Sequence, residues 1–240
     1  MISIVEVAYS SRGLPISFII RTIFTAQSIS MAATSSLVLK PKAKTCRSKI
    51  CKACGLYVNQ EPIYDERRAA DVFWVGLSAV KFSDDEEKLP LSPLTPSGAL
   101  IHRIEQEYKS HLTFYKTNLV KCVPLKEDRI RYPMEHEMEK CFPHFEEELD
   151  LLRLSTVFLL GKQVATFVLK KLSGRKPSLN EEFEYSAFNI DGINFIPIHH
   201  PSFMLVYKRK ELDKYSRNIQ RLFPTEWHTS MNEHHTALYC

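Results

Sequence analysis

Short apolar runs alternate with longer amphipathic stretches through the middle of the chain. Asp71 to Leu77, Thr113 to Val120, Thr156 to Gly161 and Ile193 to Ile198 are rich in β-branched and aromatic residues and bounded by polar or turn residues, which predicts buried strands. Gly98 to Tyr108, Pro133 to Leu152, Lys162 to Leu172 and Glu211 to Phe223 carry apolar residues at three- and four-residue spacing, which predicts helices, with Pro133 suited to a first turn. Strands alternating with helices of this size imply an α/β fold. The expected form is a three-layer α/β/α sandwich around a mainly parallel four-stranded sheet, with the loops at the carboxyl edge forming the site.

The pattern holds over residues 45–224, the expected domain. Residues 1–44 are rich in Ser, Thr and Ile with Glu6 as the one acid, and read as an N-terminal extension: untranslated sequence upstream of a start at Met31, an organellar targeting segment or a poor signal peptide. The apolar run Leu14 to Ile20 holds Pro15 and ends at Arg21, too short to cross a bilayer, so no membrane association and a cytoplasmic (in a bacterium, nucleoid-associated) location are expected. Residues 225–240 read as a polar tail. A chain of 240 residues, 44% hydrophobic and 25% charged, can bury a sizeable core, and a monomer is expected. A net charge of +4 permits nucleic-acid binding without arguing for it.

Cysteine spacing adds chemistry. Cys51 and Cys54 form a Cys-x-x-Cys pair, able to supply two corners of a tetrahedral zinc site or one side of an iron–sulfur cubane, and Cys122 and Cys141 lie beside runs that a core would hold in place. The competing reading is a set of ordinary buried thiols. A disulfide framework is disfavoured in a chain with this much core. His136-Glu137 lacks the second histidine four positions on that a zinc-protease helix requires.

Three segments fall at the predicted carboxyl edge: Val75-Gly76-Leu77-Ser78-Ala79-Val80 with the long loop after it, Thr117-Asn118-Leu119-Val120-Lys121-Cys122, and His199-His200-Pro201-Ser202-Phe203. Singly, each is as well explained by a turn glycine, a strand-end amide or a structural histidine pair. Taken in order, with the cysteines among them, Cys51 to Phe223 resembles the uracil-DNA glycosylase superfamily, most nearly its iron–sulfur family four and the related family five. The resemblance rests on Cys51-x-x-Cys54, Asn118-x-x-Lys121-Cys122, Glu139-Lys140-Cys141-Phe142-Pro143, Leu159-Leu160-Gly161-x-x-Val164-Ala165 and His200-Pro201-Ser202.

That resemblance implies a [4Fe–4S] cluster on Cys51, Cys54, Cys122 and Cys141, with zinc as the alternative occupant, and DNA carrying a deaminated or damaged base as the partner. It implies Asn118 as the reader of the base edge, with Gly76, Leu77, Leu91 and Ser202 around it, and His200 as the donor to the departing base. Leu77 stands where family four has Glu, Ala79 and Val80 where the turn has Pro and Gly, and Leu91 where an aromatic follows proline. The nearest acids that could replace the lost carboxylate are Asp84 and Asp85, in a run that otherwise reads as a solvated face. Lys121, Phe203, Lys208, Arg209 and Lys210 are the expected DNA contacts. A glycosylase for another base, a catalytically silent nucleic-acid-binding relative and a zinc-stabilised interaction domain are the alternatives.

Overall fold

The computed structural model describes residues 51–67, 69–83, 85–152 and 154–224. The expected N-terminal extension, the C-terminal tail and Asp84 lie outside the described residues. The elements are β1 (Val72–Ser78), α1 (Pro96–Glu105), β2 (Phe114–Val120), β3 (Leu125–Lys126), β4 (Arg129–Ile130), α2 (Glu135–Leu151), β5 (Thr156–Leu160), α3 (Lys162–Ser173), β6 (Phe188–Ile190), β7 (Ile193–Ile198), α4 (Pro201–Tyr207) and α5 (Leu212–Gln220). No helix among the described residues is long and apolar enough to cross a membrane.

All four predicted strands form, side by side and parallel, in the order β2-β1-β5-β7. A fifth strand, β6, closes the β7 edge in the antiparallel sense, so the sheet is one strand wider than expected. Its turn is Asp191-Gly192, both at positive φ (50° and 84°), the conformation an Asp-Gly pair favours in a two-residue hairpin. The three residues of β6 are too few for a hydrophobic period to announce, although the Asp-Gly pair itself was a usable signal.

Because successive side chains on a strand point to opposite faces, each apolar run feeds two cores. Phe73 and Val75 of β1 pack with Tyr115, Leu119, Val157 and Leu159 against Phe145 of α2 and Val164 and Val168 of α3. Val72 and Trp74 pack with Phe114, Phe158, Ile196 and Ile198 against Leu100, Ile101 and Ile104 of α1 and Tyr215 and Ile219 of α5. This is the three-layer α/β/α arrangement. Phe223 meets Trp74, Phe158, Phe114 and Tyr108 with its ring edge-on, sealing the second core.

Helix starts differ from the predicted ones for local reasons. At α1 the Thr95 hydroxyl accepts the Gly98 N–H at 3.1 Å and Pro96 takes the first helical position, moving the start upstream. At α2 the cap is Met134, so Pro133 lies just outside the helix rather than in its first turn; the Glu137 carboxylate accepts the Met134 N–H at 2.7 Å. The segment after His200, for which the sequence pattern predicts no helix, forms the short helix α4, opened by His200 as cap and Pro201 behind it.

Along α2, Cys141, Phe145 and Glu148 recur at four- and three-residue spacing and present one buried face. Glu148 is fully buried, and three β2-side groups converge on its carboxylate. The Tyr115 hydroxyl donates at 3.0 Å, the Thr117 hydroxyl lies 3.0 Å from both oxygens, and the Lys121 ammonium donates at 2.5 Å. Lys121, 1% exposed, also donates to the Thr117 hydroxyl. This corrects the expectation that Lys121 contacts DNA: its charge is neutralised inside the protein, where no phosphate can reach it.

Removing one partner of such a pair strands a charge in the core, whereas removing both does not. Lys121→Met is expected to lower unfolding free energy by about 3–5 kcal/mol, and Lys121→Met combined with Glu148→Leu to recover most of that loss. Equilibrium urea denaturation of the single and double variants measures both.

Candidate active site

A cavity of ≈620 Å³ opens at the carboxyl ends of β1, β2 and β7, where the three expected segments meet. Gly76, Leu77 and Ser78 from β1, Asn118 from β2 and His200 from the β7–α4 turn all line it, with Leu89, Leu91, Ser92, Thr95, Pro96 and Ser97 from the β1–α1 connection. Its walls are mainly aliphatic, with a few polar groups, the usual character of a small-molecule pocket.

Gly76 and Asn118 are register partners on adjacent strands. A Cβ on Gly76 would lie 2.3 Å from Asn118 Oδ1 and 2.9 Å from Leu91 Cδ2, so only glycine lets the amide and Leu91 close over β1 at this point. Leu91 itself sits at φ 49°, an uncommon conformation for a branched residue, held where the β1–α1 connection turns inward.

The two adjacent histidines have separate work. His199 points away from the cavity: its ring stacks on Phe203 (5.4 Å), meets Phe183 edge-on (5.1 Å) and lies 3.1 Å from the Tyr185 hydroxyl, while its carbonyl accepts the Tyr215 hydroxyl at 2.8 Å. Burial, then the charge of Lys208, holds its pKa below the ordinary imidazole range. His200 lines the cavity. Its Nδ1 accepts the Ser202 N–H at 3.1 Å and lies 2.7 Å from Ser202 Oγ. A backbone N–H can only donate, so Nδ1 carries no proton and the neutral ring presents its N–H at Nε2. Burial lowers the His200 pKa as well, favouring that neutral form. Gly161, at φ 90°, packs its Cα side against His200, where a Cβ would come within 3.1 Å of the histidine Cβ.

Other expected site residues fall elsewhere. Ser202 does not line the cavity; it positions His200. Asp85 is exposed and lines no part of the cavity, and none of the described lining residues is a carboxylate. Phe203 is half-buried on His199, leaving Val206 and Tyr207 as the exposed apolar side chains of α4. Arg209 and Lys210 are exposed and Lys208 half-buried, in the turn between α4 and α5.

One wall went unread in the sequence. The β3–β4 hairpin, with Glu127 and Asp128 at positive φ (50° and 58°), brings Ile130, Arg131 and Tyr132 to the cavity. Arg131 clamps Glu137 of α2 at 2.6 and 2.8 Å, which draws the carboxylate below its ordinary range. Lys-Glu-Asp-Arg reads as a charged loop, since neither turn residue is the glycine or asparagine that normally signals such a hairpin.

The four thiols gather on the α2 side of β2. All are free; Cys122 and Cys141 are buried and Cys51 and Cys54 half-buried. Burial, and then the charges of Cys54, Cys141 and Cys51, push the Cys122 thiol up to about 12; burial is likewise the main cause raising Cys141 to about 11. The Lys121 N–H donates toward Cys141 Sγ at 3.3 Å, and His144 Nε2 lies 3.2 Å from Cys51 Sγ. Among the described residues no group of three or more His, Cys, Asp or Glu side chains is arranged to hold a metal ion. The surroundings nonetheless suit a thiolate-held centre. The Tyr64 hydroxyl and His144 Nδ1 are buried without hydrogen-bond partners, although Glu147 lies 4.0 Å from His144 Nδ1; the two rings meet edge to face at 6.0 Å, and the thiols' fields add to burial in raising the Tyr64 phenol. Four soft donors ringed by orphaned polar atoms fit an iron–sulfur cluster or a tetrahedral zinc ion in kind.

A Type-4 uracil-DNA glycosylase of Saccharolobus solfataricus is 26% identical to the chain over 179 residues, covering 71% of this chain and 80% of that protein. The crystal structure of wild-type Pedobacter heparinus SMUG2 aligns with a TM-score of 0.46 at 12% identity, covering 71% of this chain and 79% of that one. The family model of the Uracil DNA glycosylase superfamily matches residues 62–223, well over half of the chain and every cavity-lining residue, though not Cys51 and Cys54. The chain belongs to the uracil DNA glycosylase superfamily.

Proposed function

We propose that the chain hydrolyses the N-glycosidic bond of uracil, or of a related deaminated base, in DNA. The observation that carries this reading is the shared cavity of Asn118 and His200, an amide and a neutral imidazole donor at the carboxyl edge of the sheet, in a chain of this superfamily.

The reacting bond is inaccessible inside a duplex, so the nucleotide swings out of the stack into the cavity. The Asn118 amide offers both a donor and an acceptor, matching the paired acceptor and donor on the uracil edge. Aliphatic walls from Leu77 and Leu91 exclude water around that edge, which strengthens the match. As the C1′–N1 bond breaks, negative charge collects on the base and positive charge on the sugar. His200 Nε2–H donates to the base oxygen nearest the bond, stabilising the leaving anion without giving up its proton. Water then adds to C1′ and the proton it sheds ends on the released base or solvent. Asp84 and Asp85 serve as the water-orienting carboxylates if the β1–α1 connection folds inward on DNA. Lys208, Arg209 and Lys210 hold phosphates.

Cys51, Cys54, Cys122 and Cys141 would hold a [4Fe–4S] cluster, with zinc the alternative. Its contribution would be structural, tying residues 51–54 to β2 and α2, with the Tyr64 hydroxyl and His144 as the nearby polar groups. A catalytically silent DNA-binding role is the second reading, favoured by the lack of a carboxylate among the described lining residues.

Release of free uracil from a uracil-containing oligonucleotide, followed by chromatography, separates the two readings: activity supports the first, and damage-selective binding without release supports the second. His200→Ala is expected to slow release by about 10²–10³-fold while leaving DNA affinity unchanged. Protonating His200 puts a hydrogen on Nδ1 against the Ser202 N–H, so the neutral ring is both the capped and the active form. Since burial lowers its folded pKa, the rate should hold steady as pH falls through ~6.5 and decline only below that; a decline already complete at that pH would remove His200 from the role. Protein purified under nitrogen should be brown and contain iron and sulfide, and Cys122→Ala should lose both together with its fold, read by absorbance and circular dichroism. Lys208→Ala with Arg209→Ala should weaken binding on every sequence and reduce the salt slope by about 2.

A further inference from the structure

Edge-reading by Asn118 and His200 leaves the flat face of a base unaccounted for. The β1–α1 walls of the cavity are aliphatic: Leu77, Val80, Leu89 and Leu91. Tyr132 is the single phenyl-bearing side chain among the described residues that line it.

Tyr132 also has an unusual combination of a fixed backbone and an unused side chain. Its carbonyl accepts from the Arg131 guanidinium at 3.0 Å, and the same guanidinium is clamped on Glu137 and donates to the Leu125 carbonyl at 3.3 Å. The Arg131 N–H is tied to the Pro124 carbonyl at 3.0 Å, and Pro133, which is buried, follows directly. Tyr132 as a residue, by contrast, is 76% exposed, so its side chain contributes little to the fold. A tyrosine with only two side-chain torsions to fix, mounted on a rigid arm at a pocket mouth, loses little entropy when a ligand orders it.

Resting on the glycosylase reading above, we propose that Tyr132 is the base-stacking residue of this pocket, closing its ring over the face of the everted pyrimidine while Asn118 and His200 hold the edge. The aromatic surface thus comes from the β3–β4 arm rather than from the β1–α1 connection, where Leu91 stands. Val206 and Tyr207 on α4 are exposed but line no part of the cavity, so neither offers a surface for a base held inside it.

The test measures binding by fluorescence anisotropy to three duplexes of one sequence. The first carries 2′-fluoro-2′-deoxyuridine, whose glycosidic bond resists cleavage, the second thymidine, and the third an abasic site. Wild type should prefer the fluorodeoxyuridine duplex over the thymidine duplex. Tyr132→Ala should lower that preference by roughly 10- to 100-fold, Tyr132→Phe should retain it, and affinity for the abasic duplex should be the same in all three proteins. Full preference in Tyr132→Ala overturns the proposal. An equal loss on the abasic duplex also overturns it, because it makes the ring a wedge in the DNA stack. A wild type that binds the first two duplexes alike refutes uracil as the base taken, and with it the reading on which this proposal rests, before any substitution is made. The exposure of the ring makes a folding failure in Tyr132→Ala readily separable, since its melting temperature should match wild type.

Discussion

A carboxylate with no access to water must be neutralised where it lies, and Glu148 is such a group. Its partners Tyr115, Thr117 and Lys121 all come from β2 or the residue just beyond it, so neutralising Glu148 fixes α2 against β2 in one register. That register governs both sites. Asn118 follows Thr117 on the strand and faces the cavity, and Cys122 follows Lys121; on the helix, Cys141 lies two turns before Glu148 and Glu137 one turn earlier still. Glu137 then holds Arg131, and through it the arm that carries Tyr132. A single buried ion pair therefore ties the thiols, the Asn118 amide and one wall of the cavity to a common frame.

The cavity depends on close backbone approaches as much as on its polar groups. Glycine at position 76 admits the Asn118 amide, and glycine at position 161 admits His200; a methyl group at either would press on that cavity-lining side chain. Gly98 plays a comparable part in α1, where a Cβ would strike the carbonyl oxygens of Ser92 and Leu91 at 2.0 and 2.4 Å. The β1–α1 connection can thus lie flat on the helix start and turn Leu91 inward. Placement of the proton on His200 follows from the same kind of constraint, since the helix cap decides which ring nitrogen faces the pocket.

The central strands were legible because each is a short, wholly buried run, and the long helices because their apolar positions keep the helical period. β6 and the β3–β4 hairpin escaped because two or three residues hold too little periodicity, and Glu127-Asp128 adopts a turn its side chains do not advertise. α4 escaped because His-Pro-Ser reads as a turn unless the histidine is recognised as a cap. Gly76, Asn118 and His200 were readable as members of ordered motifs, and the structure brings them to one cavity. Lys121 differs from its expected role for a physical reason: a lysine between Val120 and Cys122 has the sequence context of a surface charge, and only the fold brings a carboxylate 27 residues away to bury with it. The arm bearing Arg131 and Tyr132 had no signal of its own, since its position depends on a salt bridge that only the folded helix supplies.

Base release as proposed requires one nucleotide to be held at its edge by an amide and an imidazole at once. A crystal structure of the chain bound to a duplex containing 2′-fluoro-2′-deoxyuridine tests this directly. The everted base should lie in the cavity with the Asn118 amide paired to its edge and His200 Nε2 within hydrogen-bonding distance of the oxygen beside the glycosidic bond. A base that stays stacked in the duplex, or an Asn118 and His200 that contact phosphate or each other instead, would contradict it.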